Sequence, residues 1–131
     1  SNWLHGGLRQ YDISDPSNPK LTGQVWIGGL LGKAPEVNGR SVDGAPQMIQ
    51  LSLDGKRLFV TTSLFSTWDN QFYPSMKDKG GIMLIVDCDV ENGGMTIRED
   101  FHVDFGNEPH GPARAHETRY PGGDCSSDIW V

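Results

Sequence analysis

The feature that most constrains the fold is a series of short apolar and β-branched runs between residues 48 and 105, each closed by a turn. Residues 58–62 are rich in β-branched and aromatic side chains, and 82–86 are apolar on both faces, as in a strand buried on both sides. An Asp-Gly pair at 54–55 and a Gly-rich turn at 91–94 reverse the chain. The pattern predicts four consecutive antiparallel strands, at 49–53, 58–62, 82–86 and 95–105.

The residues before this series predict more short strands. We expect strands at 3–5, 8–13 and 20–27, with a tight Gly-Gly turn after the first and a Pro-rich loop at 14–19 after the second. The chain holds 17 Gly and 8 Pro, about 19% of its residues, which favours many turns over long helices. Its longest apolar run, at 82–86, is strand-sized, so we predict no transmembrane span.

Four antiparallel strands in about 58 residues have the size of one propeller blade. We therefore predict an all-β fold, a partial β-propeller of about two blades with long loops and an irregular C-terminal tail. The predicted parts are the end of one blade at 1–27, a surface loop at 28–47, the next blade at 48–105 with a loop at 66–81, and a tail at 106–131. A blade buries its faces only against neighbouring blades, so we expect the chain to be the C-terminal fragment of one larger propeller domain.

Charge and cysteine content exclude several classes of function. The formal net charge is −6 and there is no basic run, which argues against nucleic acid or an anionic membrane surface as a partner. Two cysteines are too few for a disulfide framework, so a reducing compartment is expected. Cys88 lies between two aspartates, which should raise the pKa of its thiol and lower its reactivity.

Several sequence blocks resemble the C-terminal part of the selenium-binding protein family, which is associated with methanethiol oxidase activity. They run nearly from end to end, and departures are confined to loops, chiefly the shorter loop at 30–42. Three of the blocks are Asn-Trp-Leu-His-Gly at 2–6, Val-Asp-Phe-Gly-Asn-Glu-Pro at 103–109 and Ala-His-Glu-Thr-Arg-Tyr-Pro at 115–121. The others lie at 8–16, 23–29, 46–58 and 68–74, and the third block extends to 130.

The resemblance implies a cytoplasmic β-propeller protein, with nuclear or peripheral membrane locations as further options. It implies a copper-dependent oxidase that converts methanethiol, oxygen and water to formaldehyde, hydrogen sulfide and hydrogen peroxide. Its partners are then a small thiol and O2, at a copper site completed outside these residues. Selenium binding is expected at a cysteine outside this fragment, so neither Cys88 nor Cys125 inherits that role. The alternative is a non-catalytic selenium- or thiol-binding scaffold that docks partner proteins in intracellular transport.

The resemblance selects two of the four histidines as candidate copper ligands. His5 and His116 lie inside matched blocks, and copper favours imidazole ligands. No metal-ligand spacing is present, and a histidine at a strand–turn junction often only hydrogen-bonds a backbone carbonyl. His110 is predicted to be a surface-loop residue, and His102 a half-exposed strand residue.

Glu117 follows His116 and is the candidate catalytic residue. It would orient the imidazole or transfer protons. The alternative is a salt bridge from Glu117 to Arg114 or Arg119. Asp69 and Tyr73, in the aromatic loop 66–81, could wall a pocket, although packing of that loop over the sheet is the simpler interpretation.

Overall fold

The structure, a computed structural model, describes residues 1–118. Most of the regular structure is antiparallel strand, as predicted, with two short helices and one 3-10 turn at Phe105–Asn107. The elements in chain order are β1 Gly7–Asp12, β2 Lys20–Trp26, β3 Glu36–Val37, β4 Arg40–Ser41, β5 Ile49–Leu51, β6 Arg57–Thr61, α1 Ser66–Phe72, α2 Met76–Lys79, β7 Ile82–Cys88 and β8 Met95–Asp104.

The largest sheet is an antiparallel meander in the order β5-β6-β7-β8. These are the four strands predicted between residues 48 and 105. The β7 strand is buried on both faces, as its apolar sequence predicts: Leu84 and Val86 are inaccessible on one side and Ile85 is buried on the other. The register shifts between Leu84 and Val86, where β8 residues 98–101 form a bulge opposite Ile85.

The first sheet is the hairpin of β1 and β2, close to the predicted strands at 8–13 and 20–27. The predicted strand at 3–5 is wrong. These residues form a turn, because Asn2 pairs with Gly7 through an isolated bridge and the Asn2 carbonyl accepts from the Gly6 amide at 2.7 Å. Asn2 is thus the one residue before that turn that pairs with β1.

The segment 28–47 differs from the predicted surface loop. Its centre is the two-stranded hairpin of β3 and β4, turned by Asn38 and Gly39, both with positive φ as a type I′ turn requires. Val37 on β3 is completely buried and Val42 is 4% exposed, so the segment supplies part of the core. Its Gly and Pro content reflects tight turns rather than solvent exposure.

The predicted loop at 66–81 is also wrong, because most of it is helical. Helix α1 precedes Tyr73-Pro74, and the short α2 follows and ends at Gly80. Gly80, the residue that caps the C-terminal end of α2, has φ +68, a conformation that glycine adopts without steric cost.

The core lies between the four-stranded sheet and the two hairpins. Leu8 and Ile27 from the first hairpin pack with Val37 of β3 against one face of the large sheet. That face is formed by Leu58, Val60, Ile82, Leu84 and Val86. Strands β1–β4 therefore form one layer and β5–β8 the other.

The backbones of the two layers approach each other closely at one edge. A Cβ on Gly28 would lie 2.0 Å from the Gly44 carbonyl oxygen, and a Cβ on Gly44 would lie 2.3 Å from the Thr62 carbonyl oxygen. The Gly29 amide donates to Gly44 and the Ala45 amide donates to Thr62, which fixes this contact. Glycine is required at both positions because the neighbouring backbone occupies the space of a side chain.

Several large apolar side chains remain exposed to solvent. Leu53 is 72% exposed, Ile13 66% and Leu21 53%. None of the helices among residues 1–118 is long and apolar enough to cross a membrane.

Candidate functional site

His116 lies on an irregular segment that crosses the end of the large sheet. The Gly81 amide donates to the Ala113 carbonyl at 3.0 Å, and the Thr61 hydroxyl donates to the His116 carbonyl at 2.7 Å. The Nδ1 atom of His116 lies 3.3 Å from the Ser63 carbonyl oxygen. A carbonyl only accepts, so this contact is a hydrogen bond when Nδ1 carries the proton.

This contact is the alternative that the sequence left open for a junction histidine. It does not compete with metal binding, because an imidazole has two nitrogens. A ligand histidine commonly donates one N–H to a carbonyl and binds metal through the other nitrogen. The His116 residue is also solvent-exposed, so a ligand can reach it.

A buried ionic network holds the segment on which His116 lies. Asp69 of α1 is completely buried, and its carboxylate accepts from the Ser63 hydroxyl at 2.6 Å and the Leu64 amide at 3.2 Å. The Arg114 guanidinium lies 3.5 Å from the same carboxylate and donates to Asn70 Oδ1 at 2.6 Å. Arg114 also donates to the Met76 carbonyl at 3.0 Å, so one side chain joins the segment to both helices.

His5 occupies a different environment. It is exposed in the turn before β1, and its ring lies against Trp26 with 4.8 Å between ring centroids. The ammonium of Lys33 lies 4.0 Å from the centroid of a Trp26 ring, a cation–π contact. His5 and His116 thus contact different partners, Trp26 and Ser63.

Residues 1–118 contain no group of three or more His, Cys, Asp or Glu side chains placed to bind a metal ion. A complete copper site would therefore need donors from beyond the described residues. Each of the two histidines fits a single ligand position, since each is exposed and offers an imidazole. Only His116 has a ring nitrogen held by a hydrogen bond among the described residues.

The structure also gives the positions of most of the other candidate residues. Glu117 is exposed beside His116, and Arg114 pairs with Asp69. The alternative partner Arg119 and the second cysteine, Cys125, lie outside the described residues. His110 lies in an exposed turn and His102 is half-buried on β8, both as predicted.

Asp69 and Tyr73 are both buried, and the partner of the Tyr73 hydroxyl is the N-terminal turn. The Tyr73 hydroxyl donates to the Trp3 carbonyl at 3.1 Å, and the two rings meet edge to face at 5.7 Å. Burial, helped by the nearby charge of Asp69, raises the pKa of Tyr73 to about 12. Trp3 also contacts Trp68 and Phe72, so the N-terminal turn is packed on α1.

Sequence reasoning missed the role of Asp69, Ser63 and Arg114. The helix that carries Asp69 had a signal, because Phe65, Trp68 and Phe72 are spaced by three and four residues. The pairing had none, since Arg114 is 45 residues from Asp69.

These features define a predominantly antiparallel β protein that presents two histidines on irregular segments. A family model, that of the 56 kDa selenium-binding protein, matches residues 1–131. The chain belongs to this family, as the resemblance predicted.

Named relatives support the same assignment. "Selenium-binding protein 1" of Arabidopsis thaliana is 57% identical over 99% of the chain, and "Methanethiol oxidase" of Homo sapiens is 58% identical over 100%. The X-ray structure of a hypothetical selenium-binding protein from Sulfolobus tokodaii matches 96% of the chain with a TM-score of 0.82 and 48% identity. The chain spans 30–31% of the length of these two relatives and 26% of the solved chain.

Proposed function

We propose that this chain is part of a copper-dependent methanethiol oxidase. The carrying observation is the identity of 57–59% to relatives named methanethiol oxidase, over the whole chain. The proposed reaction converts methanethiol, O2 and water to formaldehyde, hydrogen sulfide and hydrogen peroxide. The thiol carbon is oxidised by two electrons and O2 is reduced to peroxide, so atoms and electrons balance.

In this proposal His116 and His5 each supply one imidazole to copper. The metal would supply the redox chemistry, and the remaining donors would come from chain outside these residues. Glu117, next to His116, is the proposed proton-transfer residue. Because the chain spans about 30% of its relatives' length, we propose that these residues are one portion of a longer protein. We also propose, as the resemblance implies, that they are its C-terminal portion and that this protein is cytoplasmic.

We also propose that the β5–β8 meander is one blade of a β-propeller and that β1 and β2 belong to the preceding blade. The exposure of Leu53, Ile13 and Leu21 supports this, because a neighbouring blade would cover such side chains. We expect the isolated 131-residue chain to aggregate or unfold and to lack oxidase activity. A sharp, cooperative thermal transition of a monomeric isolated chain would contradict this expectation.

The activity is tested on the full-length protein. Bound copper is measured by atomic emission, and peroxide and hydrogen sulfide are assayed after addition of methanethiol. We expect stoichiometric copper and both products in equal amounts. A copper-loaded protein that makes neither product rules out the oxidase.

The second candidate function is a non-catalytic scaffold that binds selenium or thiols, or docks partner proteins. The names of the plant relatives favour it. His5→Ala and His116→Ala separate the two functions, with His110→Ala as the control because His110 is an exposed turn histidine. An oxidase loses copper and turnover in the first two variants only, whereas a scaffold keeps its fold and its ligands in all three.

A further inference from the structure

We infer that Asp69 is a positioning residue for His116 and selects Nε2 as the nitrogen that this histidine offers to a metal. The inference rests on the proposed function for its metal, but its geometry lies within the described residues. It starts from the contact between Nδ1 of His116 and the Ser63 carbonyl, 3.3 Å apart. A proton on Nδ1 leaves the lone pair on Nε2.

Asp69 holds the acceptor side of this contact. Its Oδ2 atom accepts from the Ser63 hydroxyl at 2.6 Å and its Oδ1 atom accepts from the Leu64 amide at 3.2 Å. The two bonds lie on either side of the Ser63 carbonyl along the chain. They fix the peptide plane that contains the carbonyl, and hence the direction in which its oxygen points.

Asp69 also holds the donor side, through Arg114. The guanidinium of Arg114 lies 3.5 Å from Asp69 Oδ2, and Arg114 is two residues before His116. Asp69 is completely buried and the Arg114 side chain is 12% exposed, so the pair is shielded from water and salt. Asn70 Oδ1 and the Met76 carbonyl hold the same guanidinium at 2.6 and 3.0 Å, so the buried carboxylate fixes the acceptor directly and shares the hold on the donor side.

Asp69→Asn tests the role of the carboxylate, because it removes the charge and keeps the size of the side chain. The matched control is Asp43→Asn, which removes another carboxylate that is paired with an arginine; among residues 1–118 its partners are Arg40, Ser75 and Lys79 rather than Ser63, Leu64 or Arg114. Both variants are made in the full-length protein, and circular dichroism checks that each is folded. Ser63→Ala is a milder second variant, since it removes the hydroxyl link and keeps the carbonyl.

The first measurement needs no metal. Nitrogen-15 spectra of histidine-labelled, copper-free protein report which ring nitrogen of His116 carries the proton, with His116→Ala identifying the signal. We expect the proton on Nδ1 in the wild type and in Asp43→Asn, and a mixture of both tautomers in Asp69→Asn and Ser63→Ala. A wild-type proton on Nε2, or an unchanged tautomer in both Asp69→Asn and Ser63→Ala, overturns the inference.

The second measurement is Cu(II) affinity, from competition with a chelator of known affinity. We expect about a 10–100-fold loss in Asp69→Asn, a smaller loss in Ser63→Ala and none in Asp43→Asn. If Asp69→Asn and Ser63→Ala both bind Cu(II) with wild-type affinity, the inference is overturned, although His116 can still be a ligand. If His116→Ala instead binds Cu(II) with wild-type affinity, His116 is not the ligand that the proposed function requires. The tautomer measurement then decides by itself whether Asp69 positions His116.

Discussion

The Nε atom of Arg40 lies 3.0 Å from Oδ2 of Asp104, across 64 residues of sequence. The same guanidinium donates through Nη1 to Asp43 at 2.9 Å and through Nη2 to the Lys79 carbonyl. Both carboxylates are mostly buried, with 13% and 18% of their side chains exposed. One arginine thus ties the β3–β4 hairpin to the end of β8 and to α2.

This cluster should make stability fall at acid pH. Burial alone would raise the pKa of Asp43, but hydrogen bonds from Ser75, Arg40 and Lys79 outweigh it and hold that pKa below its ordinary value. The pKa of Asp104 is lowered in the same way, with Gly106 and Arg40 opposing burial. A lowered folded-state pKa gives stability that is present above pH 4 and is lost as the pH falls.

We therefore expect Asp43→Asn to cost about 1–2 kcal/mol near pH 7 and progressively less between about pH 5 and pH 2. The measurement is urea unfolding of the full-length protein across that range. Asp15→Asn, in the exposed loop 14–19, is the control and should parallel the wild type. Parallel curves for Asp43→Asn and the wild type would show that the cluster does not cause the acid sensitivity.

The approach of Gly44 to Thr62 gives a second prediction. A Cβ on Gly44 would lie 2.3 Å from the Thr62 carbonyl oxygen and 2.7 Å from Met76 Sδ, at φ +88. We expect Gly44→Ala to destabilise the protein by about 3 kcal/mol or more, from backbone strain and overpacking together. The measurement is the free energy of unfolding of the full-length protein.

Gly32→Ala is the matched control for Gly44→Ala. Gly32 also has a positive φ, of +65, but a Cβ there would have no neighbour within 4 Å. It should lose only about 1–2 kcal/mol, the cost of the left-handed conformation. Equal losses in the two variants would mean that crowding at the layer contact adds nothing.

The strands were predictable because each carries its own signal. The five consecutive apolar residues 82–86 indicate a strand that is buried on both faces, and the Asp-Gly pair at 54–55 indicates where the chain reverses. The β3–β4 hairpin also had a signal, the Asn-Gly pair at 38–39, but the surrounding Gly and Pro residues favoured a loop. The loop prediction is wrong there because the glycines serve the tight turns of a hairpin that supplies part of the core.

The helix α1 has a spacing signal, but neither its buried face nor the surroundings of His116 could be predicted in the same way. Helix α1 buries Asp69 while Trp68 is 48% and Phe65 46% exposed, the reverse of the usual amphipathic pattern. Asp69 is buried because Arg114 and Ser63 satisfy its charge. That compensation depends on a contact 45 residues apart, which neither periodicity nor spacing encodes.

The thiol of Cys88 provides a third prediction. Its pKa is raised, first by burial and then by the charge of Asp87, which confirms the direction expected from its acidic neighbours. We expect Cys88 to react with iodoacetamide several-fold more slowly than a free cysteine at pH 8, because less thiolate is present. Mass spectrometry of the peptide around residue 88 follows this site separately from Cys125.

The control for the thiol removes only the charge. Asp87→Asn should speed the alkylation of Cys88 modestly and leave it slower than free cysteine, since burial is the larger cause. Asp87 also pairs with Arg98, so circular dichroism must show an unchanged fold. A wild-type rate equal to that of free cysteine would contradict the prediction.

The last prediction concerns the alkaline limit of stability. Burial and the charge of Asp69 raise the pKa of Tyr73 to about 12, whereas an unfolded tyrosine titrates near 10. The folded state therefore favours the neutral phenol, whose hydroxyl donates to Trp3. This contribution is complete below pH 10 and is lost as the pH rises from about 10 through about 12.

Tyr73→Phe should therefore be destabilised by about 1 kcal/mol near pH 7 and lose less further stability than the wild type above pH 10. The measurement is urea unfolding of the full-length protein at intervals between pH 7 and pH 11.5. Tyr11→Phe is the matched control, because Tyr11 is 44% exposed on β1, and its curve should follow the wild type. If Tyr73→Phe and Tyr11→Phe lose stability in parallel above pH 10, the buried phenol does not set the alkaline limit.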